Sequence, residues 1–559
     1  MTVRAHTTTA TATATTAARV LAVTAAMSAA VLALSGCGVV RDLTGARGAD
    51  PGPPASPAPS SEVSGEPRAE PVEVAFPYTR GGRIFQDTGQ DATLRFAITG
   101  LERTADHTVL YYENTYTDHF EGTNRNLTMP RTLIDPVSGR AYGELADEDG
   151  DTYGSVAPRA GGLYPVEVDA TNRYRRYFPR LPDEVTQVTF VGSGLGAMTG
   201  IPVVDVDEEQ PDPEDPNGAE MVGFGPETGE TVEFENRRPG PDALEAVGEM
   251  ESFVDSDVAS TTRDGDTETV ALKADVMFDF DSADLTAEAE EIVRQAARSL
   301  ERNIDPDAPE VTVIGHTDGR GTDDYNQDLS EERAETVRDV LADELGDGFD
   351  FGVEGRGATE LIAEEGGADD EEARARNRRV EFSYRVDRSN DDESTSGRED
   401  GLLGSSERHV FPPAPFVEDD TAEVVASAEE DDVRLDVHPL RRDGAYVIST
   451  VTLTNTGDEP VLPDMGGEDA VNPGGPAEFS EGALGGFQLL EPDTDLVRYV
   501  TLMNFGGQSY AGFAEEVHEM QPGNTYQLIA VFAAPPEDVS ELTLRAGPFG
   551  EIENVPFDN

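Results

Sequence analysis

Tryptophan is absent from this 559-residue sequence, and cysteine and lysine each occur once, as Cys37 and Lys273. A single cysteine excludes an intrachain disulfide and any cysteine-built metal cluster. Positive charge is also scarce: 41 basic residues face 112 acidic ones, for a formal net charge of −71. A phosphate backbone would be repelled by almost every face of such a chain, so nucleic acid is excluded as a partner. Long apolar runs are missing too. The one candidate, Val20 to Leu34, has about 15 residues, whereas a membrane-spanning helix needs about 20.

That apolar run follows a start carrying Arg4, His6 and Arg19 without an acid, and it ends in small residues. These are the three parts of a secretory signal. Its close, Leu34-Ser35-Gly36-Cys37, resembles the lipobox of bacterial lipoproteins. The resemblance implies that the Cys37 thiol is diacylglycerylated and that the mature chain begins there. The following ADPGPPASPAPSSEVSGEPRAEP is too rich in Pro, Ser, Gly and Glu to offset chain entropy by burial. It reads as an extended tether.

A chain of this length predicts two to four domains. Short β-rich runs separated by turn residues (VEVAFPY, ATLRFAITGLE, HTVLYYENTY, YPVEVDA, EVTQVTFVG) predict an antiparallel sandwich over 75–205. Residues 430–559 repeat the pattern with VRLDVHPL, YVISTVTLTNTG, TYQLIAVFA and SELTLRAG. The two regions align collinearly: Leu94–Arg103 with Val433–Arg442, Asn114-Thr115 with Asn455-Thr456, and Pro182–Phe190 with Pro536–Leu544. The last match runs ungapped to Pro202 and Pro556. A duplicated module is expected, resembling the immunoglobulin-like domains of exported bacterial lipoproteins and carrying no catalytic constellation.

Between them the period changes. Val270–Asp281 reads as a strand, and Thr286 as the cap of a helix presenting Ala289, Ile292, Val293, Ala296 and Leu300 on one face. Val311–Gly315 is a short buried strand. Ser330 is read as the start of a second helix with Ala334, Val337, Leu341 and Leu345 inward, which puts Arg333 in its first turn. Strands follow near Phe349–Glu354 and at Val380–Tyr384. The expectation is an α/β sandwich, βαβαββ, with two helices on one sheet.

Phe278-Asp-Phe-Asp-Ser-Ala-Asp-Leu285, Gly315-His-Thr-Asp-Gly-Arg-Gly321, Asn326, Leu329-Ser330, Arg333-Ala334, Gly355-Arg-Gly357 and Asn377-Arg-Arg-Val-Glu381 together resemble the OmpA-like C-terminal domain family. Leu361 stands where that family usually has Pro. The resemblance implies noncovalent binding of the peptidoglycan stem peptide through its diaminopimelate. Asp318 would take the ammonium and Arg333 the carboxylate, since a planar guanidinium holds a carboxylate through two parallel hydrogen bonds. Thr317, Asn326 and Leu329 would shape the pocket, with Arg378 contributing from the last strand.

The expected order is a signal at 1–36, lipidated Cys37 and tether to 74, a β-sandwich over 75–205 and an acidic linker or extension over 206–268. An OmpA-like domain over 269–387, a linker over 388–429 and a second β-sandwich over 430–559 complete it. The expected function is a lipid-anchored envelope protein tethering membrane to peptidoglycan, on the outer face of a plasma membrane or on an outer membrane. The alternative is an adaptor whose sandwiches hold an envelope protein partner. Neither enzymatic activity nor a cofactor is expected, because no nucleophile–base pair, zinc-type His/Glu cluster or phosphate loop occurs. Asp318, Asp323 and Asp324 lack the ligand spacing of a calcium loop, so no metal is expected. His316 reads as structural.

Overall fold

The computed structural model describes residues 75–558 apart from internal stretches, the longest being 119–130, 157–166, 217–227, 387–408 and 466–478. The expected signal, Cys37 and tether lie outside the described residues, as do the first three residues of YPVEVDA, whose remainder forms a turn rather than a strand. From Val72 onward the chain forms one compact unit. Its described residues build three hydrogen-bonded sheets, of 8, 16 and 5 strands. No helix among them is long and apolar enough to cross a membrane.

The two expected β regions share more than composition. In the first, strands Tyr78–Phe85, Asp91–Arg103, Thr108–Tyr116 and Thr171–Phe178 pair antiparallel in that order. In the second, Ala426–Glu430, Val433–Val437, Tyr446–Asn455 and Thr525–Ala533 do the same. Gln187 opposes Pro202 and Phe190 opposes Met198, with a register shift between. Glu541 opposes Pro556 and Leu544 opposes Ile552, with the shift at the same place. Arg103 donates to the carbonyls of Pro182 and Val185, and Arg442 to those of Pro536 and Val539. Satisfying the same pair of turn carbonyls in both copies explains why an arginine ends each matched segment. The Asn-Thr alignment, however, is two residues out. Pairing sets Thr115, opposite Arg95, against Thr454, opposite Arg434. Their hydroxyls bond to Thr171 and Thr525 at 3.1 and 2.9 Å.

Several other boundaries move. Of VEVAFPY, residues 72–74 lie outside the described residues and 75–77 are not in a strand; the first described strand begins at Tyr78. The span 206–268, expected as linker or extension, contains Val247–Asp255, which pairs with Arg140–Tyr142, Val497–Tyr499, Leu502–Asn504 and Ala259–Asp264. Its Met250, Phe253 and Val254 are buried, so the strand is held by packing that its acidic sequence conceals. Part of the expected 388–429 linker is likewise packed. Ala414 N–H donates to Asp443 at 2.8 Å, Thr199 to Pro415 O at 2.9 Å, and Ala426–Glu430 is a strand.

Asp443 at this junction has a testable pH signature. Burial pushes its carboxyl up to about 6 from the ordinary aspartate range of about 4, against the opposing bonds from Thr189 and Ala414. A raised acid favours its protonated form in the fold. Its stabilising contribution is therefore full below about pH 4 and lost as pH rises through about 6. Asp443→Asn keeps an acceptor for Ala414 and removes the charge. It should raise unfolding free energy by about 1–3 kcal/mol at pH 7.5 and by almost nothing at pH 4. Chemical denaturation at the two pH values checks this; equal effects at both would refute the assignment.

In the central region, strands Asp350–Gly357, Glu310–His316, Arg379–Arg385 and Thr267–Lys273 lie side by side in that order. Helices α1 (Ala274–Met277), α2 (Ala287–Asn303), α3 (Asp323–Leu345) and α4 (Asp370–Asn377) complete it. The expected inward residues of α2 and α3 are all buried, and Thr286 accepts from Ala289 N–H at 3.1 Å as a cap. The expected strand Val270–Asp281 stops at Lys273. Ala274 and Met277 are both buried, and that three-residue spacing suits a helical turn rather than alternation. The order is thus the expected βαβαββ, with a short α4 inserted before the last strand, an element not expected from the sequence.

The larger correction concerns α3. It starts at Asp323, with Thr322 accepting from Tyr325 N–H at 3.3 Å, not at Ser330. Arg333 is therefore in the third turn, not the first, so its position does not oppose the helix dipole and borrows nothing from free helix N–H groups.

Candidate ligand-binding site

The site is built where Glu310–His316 exits the sheet and the chain turns into α3. Glycine makes the approach possible: a Cβ on Gly315 would fall 2.0 Å from Ser330 O, and one on Gly355 2.7 Å from Glu331 N. The middle of α3 thus rests directly on two strands. Ser330 secures it, accepting from Gly357 N–H at 2.9 Å and donating to Gln327 O at 2.9 Å. Its role is to dock the helix, not to start it.

Asn326, Leu329 and Arg333 recur at helical spacing and share one stripe of α3, spanning about 10 Å along the axis. At one end, Asn326 Nδ2 donates to the backbone oxygen of Asp318 at 3.4 Å. Thr317 is pinned by its N–H to Gly357 O at 2.9 Å, while its buried hydroxyl has no partner among the described residues. Leu329 is half-buried.

Asp318 is only 8% exposed. Its Oδ1 accepts from Arg320 N–H at 2.9 Å and its Oδ2 from Arg378 Nη1 at 2.6 Å. Arg378, just before the last strand, is itself gripped by Asp275 through two bonds of 2.7 and 2.6 Å, and by Glu371 at 3.1 Å. These bonds hold its guanidinium above its ordinary range, Asp275 contributing most and Asp318 next. Arg378 is thus shared among three carboxylates, of which Glu371 also pairs with Arg320 at 3.0 Å, so Asp318 does not have its cation to itself.

Arg333, 6% exposed, is the opposite pole. Its Nε donates to Ser282 O at 3.0 Å, and its guanidinium lies 5.0 Å from the centre of the Phe278 ring. Among the described residues no carboxylate lies within ion-pair distance of it. Burial pushes its pKa down, and the more distant charges of Asp275 and Asp281 offset this only in part. Tyr325, one turn ahead of Leu329, donates to Asp281, so the FDFDSADL loop is tied to α3 at two points.

All six expected ligand residues thus fall on one side of α3 and its flanking loops. Arg378, however, is bound to Asp318 rather than presented alone. Asp275, Glu371, Phe278 and Ser282 were missed as site residues. Phe278 and Ser282 lay in a recognised motif, whereas nothing in the sequence joins Asp275 to Arg378. Asp323 and Asp324 are exposed in the first turn of α3, apart from the engaged Asp318. His316 is buried beside Glu381 at 3.6 Å. Burial would raise Glu381, but His316 and Arg379 outweigh it and hold the carboxyl down to about 2.

The OmpA family's sequence model matches residues 277–378, which contain the whole stripe. The chain is 40% identical over 115 residues to outer membrane porin F of Pseudomonas aeruginosa, covering 20% of this chain and 31% of that protein. It is 39% identical over 113 residues to outer membrane protein A of Bordetella avium, covering 20% of this chain and 55% of that one. It therefore spans less than two thirds of these relatives. Among solved structures, the cell wall anchor of the T6SS from Pseudomonas aeruginosa aligns at 33% identity and a TM-score of 0.21, over 23% of this chain and 88% of that one. Residues 277–378 are an OmpA-like domain, set within a longer β-rich chain.

Proposed function

We propose that this protein is a noncatalytic envelope tether whose OmpA-like domain binds peptidoglycan through the diaminopimelate of the stem peptide. The observation that carries the reading is the pairing of two poles at the ends of one helix stripe: a buried arginine on the stripe with no ion-pair partner among the described residues, and a loop carboxylate sharing its cation. A zwitterion answers both. Its ammonium joins Asp318, where Arg378 is already overcommitted, and its carboxylate meets the free edge of the Arg333 guanidinium. Asn326 and Thr317 set the loop, and Leu329 packs against the ligand's methylenes.

Cys37 supplies the other end of the tether as a diacylglyceryl anchor on the extracytoplasmic side of the membrane, with residues 38–74 as the spacer. Cells expressing the chain should incorporate labelled palmitate into it, and Cys37→Ser should abolish that label and move the protein to the soluble fraction. An unchanged label in the variant would sink the anchor assignment.

Long-range charge works against binding here, because the chain is strongly acidic and stem peptides carry carboxylates. Salt screens that repulsion as well as the local attraction. Retention on purified sacculi should therefore change by less than about threefold between 20 and 150 mM NaCl. Collapse over that interval would show that long-range attraction, not the local site, carries the affinity.

A further inference from the structure

Away from the OmpA-like site, a small cleft of about 40 Å³ opens on the face of the large mixed sheet. Strand register explains its floor. Val254 opposes both Arg498 and Thr261, and Ser252 opposes Arg263, which opposes Glu268. Residues two apart on a strand share a face, so both arginines stand on the same side, one row apart. The lining also includes Ala445, Ala533 and Ala534, whose short side chains take up little space, together with Tyr446 and His409.

The polar groups of this floor are unbalanced. Arg498 is 1% exposed; it gives one hydrogen bond, from Nη2 to Glu491 at 2.8 Å, and its Nε has no partner among the described residues. Arg263 pairs with Glu268 at 3.4 Å, and its Nε is also without a partner among the described residues. Glu268 already accepts from the Tyr384 hydroxyl. Each guanidinium carries five N–H donors, and both Nε donors are left without an acceptor among the described residues. Buried donors left unpaired are costly and rare. Burial also depresses the pKa of Arg498, so its one buried partner does not repay its desolvation. The cleft has room for about three water-sized groups, which suits a compact acceptor and excludes a sugar or peptide.

We propose that this cleft binds a small oxyanion, a carboxylate or phosphate group, between Arg498 and Arg263. The group supplies the missing acceptors and bridges the strand Val247–Asp255 to its neighbours on both sides. The site stands whether or not the OmpA-like domain binds peptidoglycan.

Thermal unfolding of the full chain at pH 7 tests this, with sodium phosphate, sodium acetate and sodium chloride compared at matched ionic strength. Phosphate or acetate should raise Tm by about 2 °C beyond chloride, saturably. A response to phosphate alone assigns a phosphate group, to acetate alone a carboxylate, and to both either oxyanion. Arg263→Gln should abolish the increment, as should Arg498→Met combined with Glu491→Gln, which leaves no buried charge unpaired. If the double variant does not fold, Arg263→Gln decides. Equal shifts in all three salts, or an increment that survives Arg263→Gln, would overturn the proposal.

Discussion

Asp318→Ala should lower retention of the chain on purified sacculi by about 30-fold or more, and Arg333→Ala by a similar factor. Each removes one charge-assisted anchor, worth about 1.5–3 kcal/mol when solvent is excluded. The two losses break different contacts. Without Asp318, Arg378 keeps Asp275 and Glu371 as partners but the bond from Arg320 N–H is lost, so the fold should persist with a small drop in Tm. Without Arg333, the Phe278 ring and Ser282 carbonyl lose a contact, and a small drop in Tm is expected. Binding is read by co-sedimentation and folding by thermal unfolding of the same samples. Retention like the unsubstituted chain in both variants would remove the site assignment, whatever the family resemblance.

Gly315→Ala should be the most damaging single-methyl change in the OmpA-like domain. Its added Cβ would lie 2.0 Å from Ser330 O and 2.8 Å from Ser330 C. Both obstacles are backbone atoms in the middle of a 23-residue helix, so no side chain can rotate away. Either α3 lifts from the sheet, opening the packing of Ala334, Val337 and Leu341, or the strand bends. The expected cost is about 3 kcal/mol, the upper part of the usual range for overpacking. Gly352→Ala is the control, because its Cβ would meet only Thr312 Oγ1, at 3.9 Å. Denaturant unfolding followed by proteolysis of the 269–387 region should separate the two, with the control near the unsubstituted chain. Equal stability of both would show that the helix does not rest on Gly315 as described.

How far the sequence alone carried these conclusions depended on where side-chain periodicity and chemistry coincided. The inward faces of α2 and α3 were legible because apolar residues recur at helical spacing, and Thr286 marks a cap followed by acids. The start of α3 was not, because DDYNQDLS has almost no apolar residue and Ser330 offers a second plausible cap. The acids in its true first turn, Asp323 and Asp324, were the better signal, since they suit the positive end of the helix dipole. The candidate site residues were legible as a motif, but the grip of Asp275 on Arg378 joins positions 103 residues apart. Strand Val247–Asp255 was hidden for another reason. It contains Glu249 and Glu251 between buried residues, and its partners come from three distant segments. The duplicated registers were partly visible: the +354 offset from Pro182 to Pro202 holds in the strand pairing, whereas an Asn-Thr coincidence misled by two residues.

The central claim is that one helix stripe recognises a zwitterionic centre, with Asp318 and Arg333 as its two poles. The most direct measurement is calorimetric titration of the full chain with two soluble stem peptides, one carrying diaminopimelate and the other lysine at the same position. The lysine peptide keeps the side-chain ammonium but lacks the carboxylate beside it. The diaminopimelate peptide should bind at least about tenfold more tightly, the loss of one charge-assisted contact, and Arg333→Ala should erase the difference. Equal affinity for the two peptides, or a preference that survives Arg333→Ala, would contradict the account.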